Sequence, residues 1–132
     1  MTGDMQDGDE DPKIQRYLTV RRELKPSAIE RMEFLSSRSG TGAGPVLTLI
    51  LRPSGRGDER RVRLVFDNVG DLSFGPGVFT PHLSLLEILS IRDRQWEGLN
   101  YKVVNDEQDN GLRFYCRDFD MTIIVDAANS QD

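Results

Sequence analysis

The sequence has little of the chemistry on which most enzymes and metal sites depend. Its 132 residues include one cysteine, one histidine and one tryptophan. The single cysteine, Cys116, excludes an internal disulfide and cannot form a zinc site by itself. Any catalytic triad or histidine-based metal site would depend on His82 alone. We therefore expect no metal and no cofactor, and we favour a protein that is not an enzyme.

Long apolar segments are also missing. The longest apolar run, from Val46 to Leu51, is interrupted by Thr48 and is much shorter than the roughly 20 residues of a membrane-spanning helix. The first residues, MTGDMQDGDEDP, have neither a basic leader nor an apolar centre, so we expect no secretory signal peptide. These features predict a cytoplasmic location and no membrane partner.

The chain has no excess of positive charge. Its formal net charge is -5, and five acidic residues with no basic residue lie among the first twelve. The other residues carry 17 acidic and 17 basic side chains and are balanced. Because nucleic-acid binding draws most of its affinity from Lys and Arg facing phosphates, we expect no nucleic-acid partner. Residues 1–12 are interpreted as a disordered acidic tail.

The chain does contain many short segments with alternating apolar and polar residues. In RRVRLVF, Val62, Leu64 and Phe66 share one face and the arginines the other, and LRFYCRD alternates in the same way. About seven or eight such strands predict an all-β fold, either an antiparallel β-sandwich or a strongly curved sheet. We predict one globular β domain over residues 13–126 and a frayed C-terminus at 127–132.

Three segments need further interpretation. Residues 13–25 fit either a short helix or an edge strand before Pro26, and a helix there would make the fold α+β. In LSLLEILSI, apolar residues occupy both faces, which predicts a central strand covered on both sides. Asp118 and Asp120 flank Phe119 at an expected strand break, where we interpret them as turn formers with Phe119 pointing inward.

Two groups of residues are candidates for function. Trp96 lies in a connection between strands, and with Arg92, Arg94 and Tyr101 it could form a protein-binding patch, since Trp, Tyr and Arg dominate interface hot spots. The simpler interpretation makes Trp96 a hydrophobic plug over the end of the sheets. An alternative function is small-ligand binding or hydrolysis by the group Asp118, Asp120 and His82.

The segments RVRLVFDNVGDLSF, LLEILSI and GLNYKVVNDEQDNGLRFYCRDF resemble small bacterial domains that include immunity proteins of polymorphic-toxin systems. The resemblance covers roughly residues 60–120 and does not include the acidic tail. It implies a bacterial cytoplasmic protein that acts by binding another protein, such as an immunity-type inhibitor that masks a toxin. The family supplies no functional residues to transfer. A homodimer is a further alternative, because an uncovered strand edge can pair with a second copy.

Overall fold

The computed structural model describes residues 11–36, 44–54, 57, 59–75, 86–92, 98–105 and 111–125. This part of the chain contains one helix and eight strands. Their bounds are α1 Pro12–Leu24, β1 Pro26–Leu35, β2 Val46–Pro53, β3 Arg60–Asp67, β4 Gly70–Phe74, β5 Leu86–Ser90, β6 Tyr101–Asn105, β7 Leu112–Cys116 and β8 Asp118–Val125. The strands form two four-stranded sheets with antiparallel pairing. The predicted antiparallel β fold is confirmed.

The segment that fits either a helix or an edge strand is the helix α1. It begins at Pro12, whose fixed φ suits the first helical position, directly after the capping residue Asp11. It ends before Lys25, which takes a left-handed conformation (φ 48°) and donates its backbone N–H to the Arg21 carbonyl. Pro26 then starts β1. No helix within the described ranges is long and apolar enough to cross a membrane.

The first sheet has the strand order β1-β2-β3-β8. The predicted inward residues of β3, Val62, Leu64 and Phe66, are fully buried, as are the alternate leucines of β2 with which they pair. The opposite face carries Arg63, which is exposed, and Val65, which is partly exposed. One side of this sheet therefore faces the core and the other faces solvent, as the alternation predicts.

The second sheet has the order β4-β7-β6-β5. Residues Leu112, Phe114 and Cys116 of β7 are fully buried and share one face, as predicted. The prediction of a central strand in LSLLEILSI is wrong, because β5 lies at one end of the sheet. Its buried residues are Leu86 and Ile88, whereas the intervening Glu87 and Leu89 are exposed. Leu83 and Leu85 lie outside the described residues.

The interpretation of Asp118 and Asp120 as turn formers is also wrong. Between β7 and β8 the chain bends at Arg117, and both aspartates belong to β8, where they pair with Asp67 and Val65 of β3. Their side chains share the outer face of the strand, since they are two residues apart. Phe119 between them points into the core and is buried, as predicted.

Aromatic residues join the two sheets. The Phe66 ring of β3 meets the Phe114 ring of β7 edge-on, with 4.8 Å between centroids. Phe119 of β8 meets Tyr101 of β6 edge-on at 5.0 Å. Edge-to-face pairs of this kind are favourable beyond the area they bury. The helix adds Ile14, Tyr17 and Leu24 to the same core, so the two sheets and α1 form one packed unit.

Candidate functional site

The structure brings together two of the four residues proposed for a binding patch. Arg92 follows β5 and Tyr101 begins β6. A nitrogen of the Arg92 guanidinium donates a hydrogen bond to the Tyr101 hydroxyl over 2.8 Å. Trp96 and Arg94 lie outside the described residues, and their part in a binding patch stays a prediction. His82 also lies outside the described residues.

The centre of the site is Asp11, a residue that the sequence interpretation assigned to the acidic tail. Its side chain is only 3% exposed. Oxygen Oδ1 accepts hydrogen bonds from the backbone N–H groups of Lys13 and Ile14, at 2.9 and 3.2 Å. Two free N–H groups of the first helical turn are thereby satisfied, and the negative charge faces the positive end of the helix dipole.

The second oxygen of Asp11 connects the helix to the second sheet. Oxygen Oδ2 accepts a 2.7 Å hydrogen bond from the Tyr101 hydroxyl and lies 3.2 Å from a nitrogen of Arg92. The carboxylate therefore has partners on both oxygens, which is the condition under which a buried charge is tolerated. Tyr101 lies 90 residues away in the chain, so this link joins distant parts of the fold.

Tyr101 is the buried aromatic residue of the site. The residue is 1% exposed, and its hydroxyl contacts both Asp11 and Arg92. Burial raises the pKa of this phenol above its usual value, and the hydrogen bond to Asp11 raises it further. The hydroxyl thus stays protonated and keeps donating to the carboxylate. A partner protein would meet Tyr101 through Arg92 rather than directly.

Arg92 is the surface-facing member of this group. Its guanidinium carbon lies 5.2 Å from the centre of the Tyr101 ring, within the range of a cation–π contact. The side chain is held by the ring and by Asp11, yet it is 53% exposed. An arginine fixed on one side and open on the other loses little conformational freedom when it binds a partner.

A second ion pair lies close to Asp11. The Lys13 ammonium is 2.6 Å from Asp118 and 3.8 Å from Asp120. Partial burial acts to raise the pKa of Asp118, but the hydrogen bonds from Lys13 and from the Phe119 backbone outweigh it and lower the pKa. Burial likewise acts to lower the pKa of Lys13, and the contact with Asp118 outweighs it in the opposite direction. Both side chains therefore carry their charges at neutral pH.

These residues line an open groove of about 450 Å³, here called the N-cap groove. Asn100 and Arg117 also line this groove. The Asn100 amide donates to the Arg117 carbonyl over 2.9 Å, and Arg117 pairs with Asp67 at 3.3 Å while its side chain stays 50% exposed. The charged and polar lining of the N-cap groove consists of Asp11, Lys13, Arg92, Asn100, Arg117 and Asp118, and Tyr101 also contributes.

The geometry around Asp118 and Asp120 gives little support to the alternative function, small-ligand binding or hydrolysis. Asp118 has a lowered pKa, whereas a general acid in glycoside hydrolysis needs a raised one. Lys13 lies against both Asp118 and Asp120 and competes with a cation for the same oxygens. Within the described ranges, no group of three His, Cys, Asp or Glu side chains is placed to hold a metal ion.

Sequence reasoning missed Asp11 as a site residue. The signal was the pair Asp11–Pro12 directly before a segment with helical spacing, since Asp is a preferred N-cap and Pro a preferred first residue of a helix. The helix-capping role of Asp11 was missed because the residue was counted among the acidic residues of the tail. Its contact with Tyr101 had no signal in the sequence, because nothing local relates the two residues.

Comparison with known families extends the resemblance found in the sequence. A family model described as immunity protein PIM8 matches residues 10–122. The chain belongs to this immunity-protein family. The match includes α1 and every residue that lines the N-cap groove. Searches of curated proteins and of solved structures find no match.

Proposed function

We propose that this protein is an immunity-type inhibitor that binds a toxin protein and blocks it without catalysing a reaction. The observation that carries the proposal is the match to the PIM8 family over residues 10–122. The name of the family implies protection against a toxin, and the simplest route to protection is a protein–protein complex that covers the toxin's working surface. In line with the expectation from composition, we propose the cytoplasm of a bacterium as the place of action.

We assign the toxin contact to the N-cap groove. Lys13, Arg92 and Arg117 have side chains that are 41%, 53% and 50% exposed, and each is already held by a carboxylate of the fold. Charged groups fixed in this way are ordered before binding, which lowers the entropy cost of association. Arginine is also among the residues that most often carry interface energy.

The test is a protection and binding experiment in which the product of each gene adjacent to this one is tried as the toxin. Co-expression should restore growth of a toxin-sensitive host, and the two purified proteins should elute together in size-exclusion chromatography. Arg92→Ala and Arg117→Ala should each weaken the complex by about tenfold or more, as expected for interface hot spots.

Arg113→Ala is the matched control. Arg113 is an exposed arginine on β7 and does not line the N-cap groove. Its removal should leave the affinity within about twofold of wild type, and circular dichroism should show all three variants folded. A toxin that remains active at saturating concentrations of this protein, with no complex detected, would refute the proposal. Equal losses for Arg92→Ala and Arg113→Ala would refute the assignment to the N-cap groove.

A further inference from the structure

The edge strands of the two sheets differ in what covers them. In the described strands the edges are β1 and β8 in the first sheet, and β4 and β5 in the second. An edge strand presents unpaired N–H and C=O groups that can pair with another chain, and proteins commonly cover or interrupt such edges. The four edges can therefore be compared for what protects each of them.

The helix α1 protects two edges. Arg16 donates to the Met121 carbonyl of β8 over 3.1 Å. Tyr17 and Arg21 donate to the Leu86 carbonyl of β5 over 2.6 and 3.2 Å. The helix thus uses backbone acceptors on β8 and β5 that another strand would need. The third edge, β4, is only five residues long, and its pairing is irregular between Gly70 and Ser73.

Strand β1 is different. It is ten residues long, and its pairing with β2 is irregular only near its start, up to Arg31. From Arg31 to Leu35 the pairing is regular, and no hydrogen bond within the described residues joins this stretch to any element other than β2. Two large apolar side chains here are exposed, Phe34 by 45% and Leu35 by 53%.

Two charged residues of β1 determine the register in which two copies of this strand can pair. Arg31 and Glu33 share one face, lie 3.6 Å apart and have side chains that are 69% and 61% exposed. If two copies of β1 pair antiparallel about Met32, Arg31 of each copy lies opposite Glu33 of the other. A shift of two residues in one direction places Glu33 opposite Glu33, and in the other direction Arg31 opposite Arg31. Opposite charges across a strand pair stabilise it and like charges destabilise it.

We propose that two copies of this chain associate through β1, with Met32 at the twofold axis, to form one continuous sheet of two four-stranded halves. The strand is complementary to itself in one register and repels itself in the neighbouring registers. Among the described strands, this arrangement covers the long edge that α1 does not protect. The proposal goes beyond toxin inhibition and does not depend on it, because it concerns the chain alone.

The test measures the mass of the purified chain, without any toxin, by sedimentation equilibrium over a range of concentrations. The wild type should be a dimer. Arg31→Glu or Glu33→Arg alone places like charges in both cross-strand pairs and should raise the dimer dissociation constant about ten- to thirtyfold. The double variant, Arg31→Glu with Glu33→Arg, restores both pairs with reversed sign and should return the dissociation constant to within about threefold of wild type.

Arg63→Glu is the matched control. Arg63 lies on the outer face of β3, two strands away from the edge, and its reversal should leave the dimer unchanged. Far-ultraviolet circular dichroism should show every variant folded. A wild-type chain that is monomeric at about 100 μM, or a double variant that fails to recover, would overturn the proposal. A monomeric chain whose toxin binding is lost in Arg31→Glu would overturn it too, and would assign the edge to the toxin.

Discussion

Removing the Asp11 carboxylate should destabilise the whole fold, although the sequence interpretation places this residue in the acidic tail. In Asp11→Ala, loss of the N-cap costs about 1 kcal/mol, within a range of roughly 0.5–2 kcal/mol. The buried Tyr101 hydroxyl loses its acceptor, which costs a further 1–3 kcal/mol or so. The half-exposed contact with Arg92 adds less than about 1 kcal/mol. We therefore expect the free energy of unfolding to fall by about 2–5 kcal/mol.

Urea unfolding followed by far-ultraviolet circular dichroism measures this loss. Asp11→Asn is the conservative control, because its amide oxygen can still cap the helix, and we expect it to cost only about 1 kcal/mol. In a Tyr101→Phe background no hydroxyl is left unsatisfied, so Asp11→Ala should cost about 1–3 kcal/mol less than it does in the wild type. If Asp11→Ala stays within about 0.5 kcal/mol of wild type, or if the two backgrounds give equal losses, the assigned role of Asp11 is wrong.

Three further predictions concern other parts of the structure. Burial raises the pKa of the Cys116 thiol, so a thiol reagent should label it slowly in the native protein and rapidly in urea; rapid native labelling would contradict its burial. Asp118→Asn should lower the free energy of unfolding by about 0.5 kcal/mol at neutral pH. Because the pKa of Asp118 in the folded state lies below its usual 3.8, this loss should disappear as the pH falls through the folded-state pKa. A loss that persists in acid would refute the role of the Lys13–Asp118 pair. Phe66→Ala should lower the free energy of unfolding by about 3–5 kcal/mol, whereas the neighbouring outer-face Val65→Ala should cost less than about 1 kcal/mol; similar losses would contradict the assigned faces.

Alternation along a strand made the faces of the sheets predictable. Val62, Leu64 and Phe66 face the core because successive side chains of a strand point to opposite sides, and among the described residues it is this side of the sheet that is buried. The same reasoning failed for β5. A run rich in leucine is expected of a central strand, but Leu89 is 44% exposed. Which strands lie at the ends of a sheet depends on pairing between distant segments, and local spacing carries no information about that.

The site was less predictable than the fold. Arg92 and Tyr101 are candidates for a binding patch because arginine and aromatic residues are common in interfaces, and the structure places the two in contact. Their common partner Asp11 was overlooked because composition counted it among the charges of the tail. The role of Asp11 depends on its burial and on its contact with Tyr101, 90 residues away in the sequence. Neither can be derived from residue type.

The helix α1 links the stability of the fold to the shape of the proposed toxin contact. Its capping residue Asp11 holds Arg92, its first turn supplies Lys13, and Tyr17 contacts β5, the strand that precedes Arg92. A change that loosens α1 should therefore weaken toxin binding even when it removes no residue of the N-cap groove. The β1 edge lies at the opposite end of the first sheet from β8, which α1 contacts. The proposed dimer contact and the proposed toxin contact thus lie on separate surfaces, and the two proposals are compatible in one chain.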